Sequence, residues 1–120
     1  MNVNGKVSKS IVRFRRQVEI FRKEVHHDMH ILQMLTFLEV VNNDKHTVNG
    51  KYIEKLLSIG QTSASRHCRR LLQKEKGGFF GLCVFTYGPK DALSKYLELT
   101  DEGKRLAVAL RPLFLEKTIY

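Results

Sequence analysis

The chain has 120 residues, of which 42% are hydrophobic and 28% are charged, values typical of one globular domain and not of a disordered chain. No apolar run is long enough to cross a membrane, and the basic N-terminal segment lacks the apolar core of a signal peptide, so we expect a cytoplasmic protein. The net charge is +9, concentrated in residues 1–27 and 45–76. This charge distribution is typical of a protein that binds a polyanion.

The first predicted element is a helix over residues 8–27, with Ser8 or Ser10 at its start. Its apolar residues recur at alternating spacings of three and four and form a narrow seam of Ile11, Phe14, Val18, Phe21 and Val25. A basic helix that lies on a membrane surface would need a much broader apolar face. The seam therefore predicts packing on other helices, either of the same chain or of a partner subunit.

A second helix is predicted to follow, with Asp28 as its N-cap and an Asn-rich loop at 42–44 as its end. Its expected buried side consists of Ile31, Leu32, Leu35, Leu38 and Val41, widened by Met34 and Phe37. His26, His27 and His30 are the one metal-like cluster. A helix start at Asp28 would separate them, and no Cys or Glu ligand is obvious nearby. We therefore expect a polar helix junction and no metal.

Two short helices joined by a Gly-containing turn are predicted over residues 47–74. The first runs from Thr47 to about Leu57, the turn occupies residues 58–60, and the second covers residues 61–74. This arrangement is a helix-turn-helix, in which the second helix enters a DNA groove and the first crosses the backbone.

The second of these helices combines an apolar stripe with a polar, basic face. The stripe consists of Ala64, Cys68, Leu71 and Leu72, whereas Thr62, Ser63 and Ser65 are expected to cap the helix start and Arg66, Arg69 and Arg70 lie largely off the stripe. Guanidinium groups and small hydroxyls on one face suit the major groove of DNA. An ordinary amphipathic helix with a solvated basic face is the alternative.

A β-hairpin and a final helix complete the predicted fold. Two strands are expected within residues 79–99 around a turn at 88–91, and they form a wing after the helix-turn-helix. A last helix is expected over residues 100–115, with Leu106, Ala107, Leu110, Leu113 and Phe114 as its apolar side and Pro112 kinking or ending it. The predicted fold class is mainly α with a small two-stranded β wing, a winged helix-turn-helix with flanking dimerisation helices.

This order of elements resembles the MarR (multiple antibiotic resistance regulator) family of winged-helix repressors. The segments Ser63-Ala64-Ser65-Arg66 and Arg70-Leu71 are similar to the recognition-helix pattern of that family: a small residue, Val or Ala, Ser or Thr, Arg, and then Arg-Leu one turn later. The resemblance covers about residues 28–107 of the chain.

The wing resembles the same family, with one departure. Asp91, Leu99-Thr100 and Gly103 are similar to the family's signature of Asp, then Leu-Thr, then Gly. The family usually places one or two Arg directly after the wing Asp, where this chain has Ala92 and Leu93.

The resemblance implies a homodimeric regulator of transcription that binds double-stranded DNA and responds to an unidentified small-molecule effector. The candidate DNA-binding residues are Lys51, Lys55, Gln61, Thr62, Ser63, Ser65, Arg66, Arg69, Arg70, Lys74, Lys90 and Lys95. The candidate dimer interface comprises Ile11, Phe14, Val18, Phe21, Val25, Leu110 and Phe114.

No catalytic constellation or cofactor motif is visible, so we do not expect an enzyme. Cys68 lies on the core stripe, and burial there favours a structural thiol over a redox sensor. The main alternative is a winged-helix protein–protein interaction module that docks a partner through Phe79, Phe80 and Tyr87. Winged-helix accessory proteins of phage or plasmid replication and regulation fit the same outline.

Overall fold

The computed structural model describes residues 8–90 and 93–114, which form five α-helices and one antiparallel hairpin. The elements in chain order are α1 (Lys9–Glu24), α2 (Ile31–Asn42), α3 (Gly50–Leu57), α4 (Gln61–Arg70), a 3₁₀ turn (Lys74–Lys76), β1 (Cys83–Tyr87), β2 (Lys95–Leu99) and α5 (Asp101–Phe114). This order confirms the predicted winged helix-turn-helix. Within the described residues, no helix has the length and hydropathy that a membrane span requires.

The first two helices begin with different caps, and only the first was predicted correctly. The Ser8 hydroxyl accepts a hydrogen bond from the Ile11 amide and begins α1. Asp28 does not cap α2, because its amide donates to His26 Nδ1 in a turn that precedes the helix. The cap is His30, whose Nδ1 accepts from the Leu32 amide at 3.0 Å, while the side chain of Gln33 accepts from the His30 amide.

The buried face of α2 also differs from the prediction. Its buried residues are Gln33, Met34, Thr36, Phe37 and Val40. Ile31 and Leu35, which were expected in the core, are exposed. Since α2 is apolar on most sides, tertiary contacts such as the edge-on packing of Phe37 against the Phe21 ring decide which face is buried. The buried Thr36 hydroxyl donates a hydrogen bond within the helix to the Leu32 carbonyl.

The helix-turn-helix is shorter at both ends than predicted. Asn49 caps α3 by accepting from the Tyr52 amide, and the carbonyl of Val48 is used by the wing, where it accepts from Leu97. Thr47 therefore lies outside the helix. Ser58 ends α3 in the left-handed conformation with φ 53°, and Gly60 begins α4.

The predicted continuation of α4 to residue 74 is wrong, because the chain beyond Arg70 bonds to the segment that leads into the wing. The Arg70 carbonyl accepts from the amides of Phe79 and Phe80, and the Leu71 carbonyl accepts from those of Leu82 and Cys83. These distant bonds replace helical ones and leave residues 79–82 outside β1. The strands pair in register from Cys83 opposite Leu99 to Tyr87 opposite Lys95. The predicted turn at residues 88–91 lies partly outside the described residues, and Asp91 of the wing signature lies wholly outside them.

Thr100 ties the wing to α5. Its hydroxyl accepts from the Gly103 amide and donates to the Gly81 carbonyl at 2.7 Å, while its amide donates to the Leu82 carbonyl. Gly103 is required here, because a Cβ on it would overlap the Leu82 carbonyl oxygen. Helix α5 continues through Pro112 to Phe114, and its predicted last residue, 115, lies outside the described residues.

One hydrophobic core connects the helices and the wing. Its largest fully buried side chains include Phe21 from α1, Phe37 from α2, Ile53 from α3, Leu71 after α4 and Leu110 from α5. The core fixes α4 from behind, so that the opposite face of α4 is left at the surface.

Candidate nucleic-acid interface

Helix α4 presents a polar face that is opposed to its buried stripe. The predicted stripe is confirmed, since Ala64, Cys68 and Leu71 are at most 1% exposed. Arg66 and Arg69 are exposed on the other side, and Ser65 is partly exposed between them. The Arg69 guanidinium donates to the Ser65 hydroxyl at 3.5 Å, which groups the two side chains on this face. The polar face therefore combines charge with directional hydrogen-bonding groups.

The N-terminus of α4 has no side-chain cap, so the predicted capping role of Thr62, Ser63 and Ser65 is wrong. The N-cap is Gly60, which has no side chain to offer a cap. The first turn of α4 contains no acidic residue, and the helix dipole makes this end positive. Gln61 and Thr62 are exposed at the same end. The arrangement is compatible with an approaching anion such as a DNA phosphate.

Arg70 and Lys74 differ from Arg66 because they lie over aromatic rings. The Arg70 guanidinium carbon is 4.2 Å from the ring centroid of Phe79 and 5.2 Å from that of Phe80. The ammonium of Lys74 is 5.6 Å from the Phe79 centroid. These two cations partly cover a pair of phenyl rings that meet edge to face. The aromatic surface predicted for partner docking is thus half-buried at Phe79 and Phe80.

The remaining predicted cations lie on the two elements that flank α4 along the chain. Lys51 and Lys55 are exposed on α3, the helix that packs against α4. Lys90 and Lys95 are exposed on the hairpin, and the Lys95 ammonium is 6.0 Å from the Phe85 ring centroid. All twelve predicted DNA-binding residues are therefore at least partly exposed.

A carboxylate on the wing was missed by the sequence analysis. Glu98 forms an ion pair with Lys45 at 3.4 Å, and a hydrogen bond from Thr86 together with the charge of Lys45 lowers the pKa of Glu98. It therefore stays ionised at neutral pH and offsets part of the positive charge nearby. The two partners are 53 residues apart in the sequence, so no local pattern could have identified them.

His67 is the second residue that the sequence analysis missed, although it lies on the candidate recognition helix. Its side chain is buried, its ring stacks on that of His30 with centroids 5.0 Å apart, and its Nδ1 has no hydrogen-bond partner among the described residues. Burial lowers the pKa of His67, and the nearby His30 and Arg66 lower it further. His67 is therefore neutral at pH 7.

The histidines before α2 are arranged differently from the sequence-based cluster. His26, His27 and Asp28 have ligand atoms within 4.8 Å of one another, whereas His30 belongs to the contact with His67. The donor atoms are already engaged, since His26 Nδ1 accepts from the Asp28 amide and His27 Nε2 lies 3.2 Å from the Asp28 carboxylate. The His26 and His27 rings are stacked, with centroids 4.4 Å apart. We assign these residues to the helix junction.

Both cysteines lie in the core. Burial raises the pKa of Cys68 to about 11, and burial together with the neighbouring Cys68 thiol raises the pKa of Cys83. A thiol with so high a pKa carries almost no thiolate at pH 7, which disfavours a redox role. The predicted position of Cys68 on the buried stripe is confirmed.

Comparison with known proteins finds no matching family model and no matching curated protein. Solved structures do match. A mutant of S. aureus MepR bound to an oligodeoxyribonucleotide matches with a TM-score of 0.58 and 19% identity, covering 91% of this chain and 78% of that chain. MarR matches with 0.55 and 15%, covering 87% and 71%, and Bordetella bronchiseptica BpsR with 0.53 and 17%, covering 95% and 77%. The chain has the MarR winged-helix fold. The predicted resemblance is thus confirmed for the architecture.

Within this MarR fold, the predicted dimer residues fall into two groups. Ile11 and Phe14 are 71% and 52% exposed on α1, and Val18, Val25 and Phe114 are partly buried. Phe21 and Leu110 are fully buried within the single chain, so we assign them to its own core. Helices α1 and α5 pack together, which places the exposed part of the seam beside the end of α5.

Proposed function

We propose that this chain is a transcriptional regulator that binds specific double-stranded DNA sequences as a homodimer. The observation that carries the proposal is the outer face of α4, where Arg66, Arg69 and Ser65 are presented opposite a fully buried stripe. A helix of this kind fits the major groove, where Arg and small polar side chains read base edges. The fold supports the proposal, since the matching MepR structure is bound to an oligodeoxyribonucleotide.

The candidate DNA-binding residues divide by expected role. Ser63, Ser65, Arg66 and Arg69 would reach base edges or the phosphates beside them. Lys51, Lys55, Arg70 and Lys74 would contact phosphates and thereby fix the register on the duplex, which sets affinity and not sequence preference. Lys90 and Lys95 would touch the backbone or the minor groove from the wing, in place of the Arg that the family usually carries there.

A homodimer is supported by the exposed apolar residues of α1. Ile11 and Phe14 lie uncovered in a single chain, and Val18 continues the same seam partly buried. Burying them against a second copy would join two recognition helices in one dimer. Such a dimer reads half-sites one helical turn apart, or a multiple of it.

The proposal also includes regulation by a small-molecule effector. A cleft of about 430 Å³ opens between α1, α2 and the end of α5, and its lining includes Arg13, Phe14, Glu39 and Leu113. This volume and this mixture of apolar and charged groups suit a small organic ligand. In the matching BpsR, DNA binding is regulated by 6-hydroxynicotinic acid. Screening small organic acids for protection against thermal unfolding, with Arg13→Ala as the comparison, tests the cleft.

The first test of the proposal measures the binding of random-sequence duplex DNA by fluorescence anisotropy as a function of salt concentration. The proposal predicts binding at low salt and a steep fall of affinity as salt rises, because phosphate contacts release counterions. No binding at low salt would contradict the proposal and favour the protein–protein module. Of the aromatics proposed for that module, only Tyr87 is largely exposed, at 59%. Phe79 and Phe80 are half-buried, and the Arg70 guanidinium lies over the Phe79 ring.

A further inference from the structure

The contact between His30 and His67 joins two elements whose relative position determines how α4 is held. His30 caps the N-terminus of α2, and His67 lies on the inner side of α4, three residues before the end of that helix. Their rings stack with an interplanar angle of 26°. Helices α2 and α4 pack against each other, and the exposed His30 at the start of α2 stacks on the buried His67 of α4.

The contact depends on the Nδ1 atoms of both rings. His30 caps α2 by accepting a hydrogen bond at Nδ1, and protonation of that nitrogen would remove the lone pair that accepts it. His67 Nδ1 is buried without a hydrogen-bond partner among the described residues, so a proton added there would have no acceptor. Adding charge to either ring would also place a cation against its stacked neighbour. The buried His67 ring is therefore stable in this contact only in its uncharged form.

The surroundings offer no compensation for a proton. The groups that act electrostatically on His67 are His30 from the start of α2 and Arg66 from α4 itself, and both disfavour a positive charge. Helix α2 carries Glu39 and helix α3 carries Lys51, Glu54 and Lys55, but none of these perturbs His67. Among the described residues, no carboxylate contributes to the shift in the pKa of His67.

We propose that the His30–His67 pair is an acid-sensitive contact that holds α4 against α2 when the His67 ring is neutral and loosens α4 when that ring is protonated. The effect on DNA binding rests on the function proposed above, since a loosened α4 would bind DNA less tightly. The direction of the pH effect on DNA binding distinguishes this mechanism from a simple gain of positive charge. Acidification charges exposed histidines, and added positive charge by itself strengthens binding to DNA.

The sign of the effect follows from the direction of the pKa shift. The pKa of His67 lies below its ordinary value of about 6.5 in the folded chain, so the opened form binds the proton more tightly. The contact is therefore fully formed above about pH 6.5 and weakens as the pH falls from there toward the folded-state pKa. One such group increases the opening equilibrium by up to about tenfold per pH unit within that window.

Hydrogen exchange of the full chain at pH 7.5 and pH 5.5, converted to protection factors, tests the contact without DNA. We expect amides in the last turn of α4 to lose up to about tenfold in protection at the lower pH, while those of α5 retain theirs. In His67→Phe, which keeps a ring but cannot be protonated, the loss should be much smaller. His30→Asn, which retains a capping side chain, is the second variant should the first not fold. His27→Gln removes an exposed histidine and should behave as the native chain.

The outcomes separate this inference from the proposed function. Unchanged α4 protection, equal losses in α4 and α5, or an undiminished loss in both variants would overturn it. The expected loss, together with weaker DNA binding at pH 5.5 that His67→Phe prevents, would establish it. The expected loss in a chain that binds no DNA at any pH would support the contact and reject the proposed function. DNA affinity that is insensitive to pH despite the loss would overturn the coupling to DNA.

Discussion

Arg66 and Arg70 are one helical turn apart on α4, but their side chains have different surroundings. Arg70 lies over the Phe79 ring, whereas no ion pair or ring contact holds Arg66 within the described residues. The guanidinium of Arg66 is therefore available for a base edge, and that of Arg70 is partly committed to the fold. The sequence assigned Arg66 to base edges and Arg70 to phosphates, but it could not predict that Arg70 lies over a ring, because Phe79 and Phe80 follow nine and ten residues after it.

For Arg66→Ala we predict weaker binding to the specific DNA site by roughly 1–3 kcal/mol, the range for a specific Arg contact to a base. Stability should change little, since the side chain is exposed. Arg105→Ala on α5 is the matched control, because it removes the same charge from another exposed helix position. Anisotropy titrations at fixed salt measure both variants. Equal affinities for the two would contradict the role of Arg66.

Arg70→Ala should instead reduce the free energy of unfolding. The stacked guanidinium contributes about 0.5–1 kcal/mol at a surface cation–π site, and its loss uncovers Phe79. Urea denaturation measures the change. Arg70→Lys should retain only part of the effect, because an ammonium lacks the planar face that stacks on a ring. An unfolding free energy of Arg70→Ala equal to that of the native chain would contradict the structural role.

At the level of elements, the close approach of α5 to the segment before β1 gives the clearest prediction. Gly103→Ala would drive a Cβ into the Leu82 carbonyl oxygen, and backbone on both sides must move. We expect a loss of about 1–3 kcal/mol in the free energy of unfolding, the range for overpacking. Gly50→Ala at the start of α3 meets nothing within 4 Å and should be neutral or slightly stabilising. Chemical denaturation that ranks the two variants equally would disprove the requirement for glycine at position 103.

The helices and strands also show which features of the fold the sequence could predict. The apolar stripe of α4 was predicted correctly because Ala64, Cys68 and Leu71 follow helical spacing and the face opposite them is polar. The end of α4 was not, because the carbonyls of Arg70 and Leu71 accept hydrogen bonds from residues 79–83. Local propensity contains no information about such competition.

The start of α2 was predicted wrongly for a related reason. Asp is a preferred N-cap and His is not, so preference selected Asp28 over His30. The structure favours His30 because its imidazole caps the helix and stacks on His67 at the same time. That second contact joins residues 37 positions apart, and it also explains why the candidate site from sequence lacked His67.

For the whole molecule, net charge and its placement govern how binding responds to salt. Lys55→Ala should weaken binding to all sequences alike and flatten the dependence of log affinity on log salt by about one unit, as for loss of one phosphate contact. Lys104→Ala, exposed on α5 away from the helix-turn-helix, is the control and should leave the slope unchanged. A salt slope that Lys55→Ala does not alter would exclude Lys55 from the phosphate contacts.

Two copies of α4 are proposed to read DNA together, and selection of bound fragments from random duplex DNA tests this most directly. We predict an enriched palindromic motif whose half-sites are about 10–10.5 base pairs apart, centre to centre, or a multiple of that spacing. Arg66→Ala should lose the enrichment. Recovery of fragments with no shared motif, or of a single unpaired half-site, would contradict paired reading by the two helices.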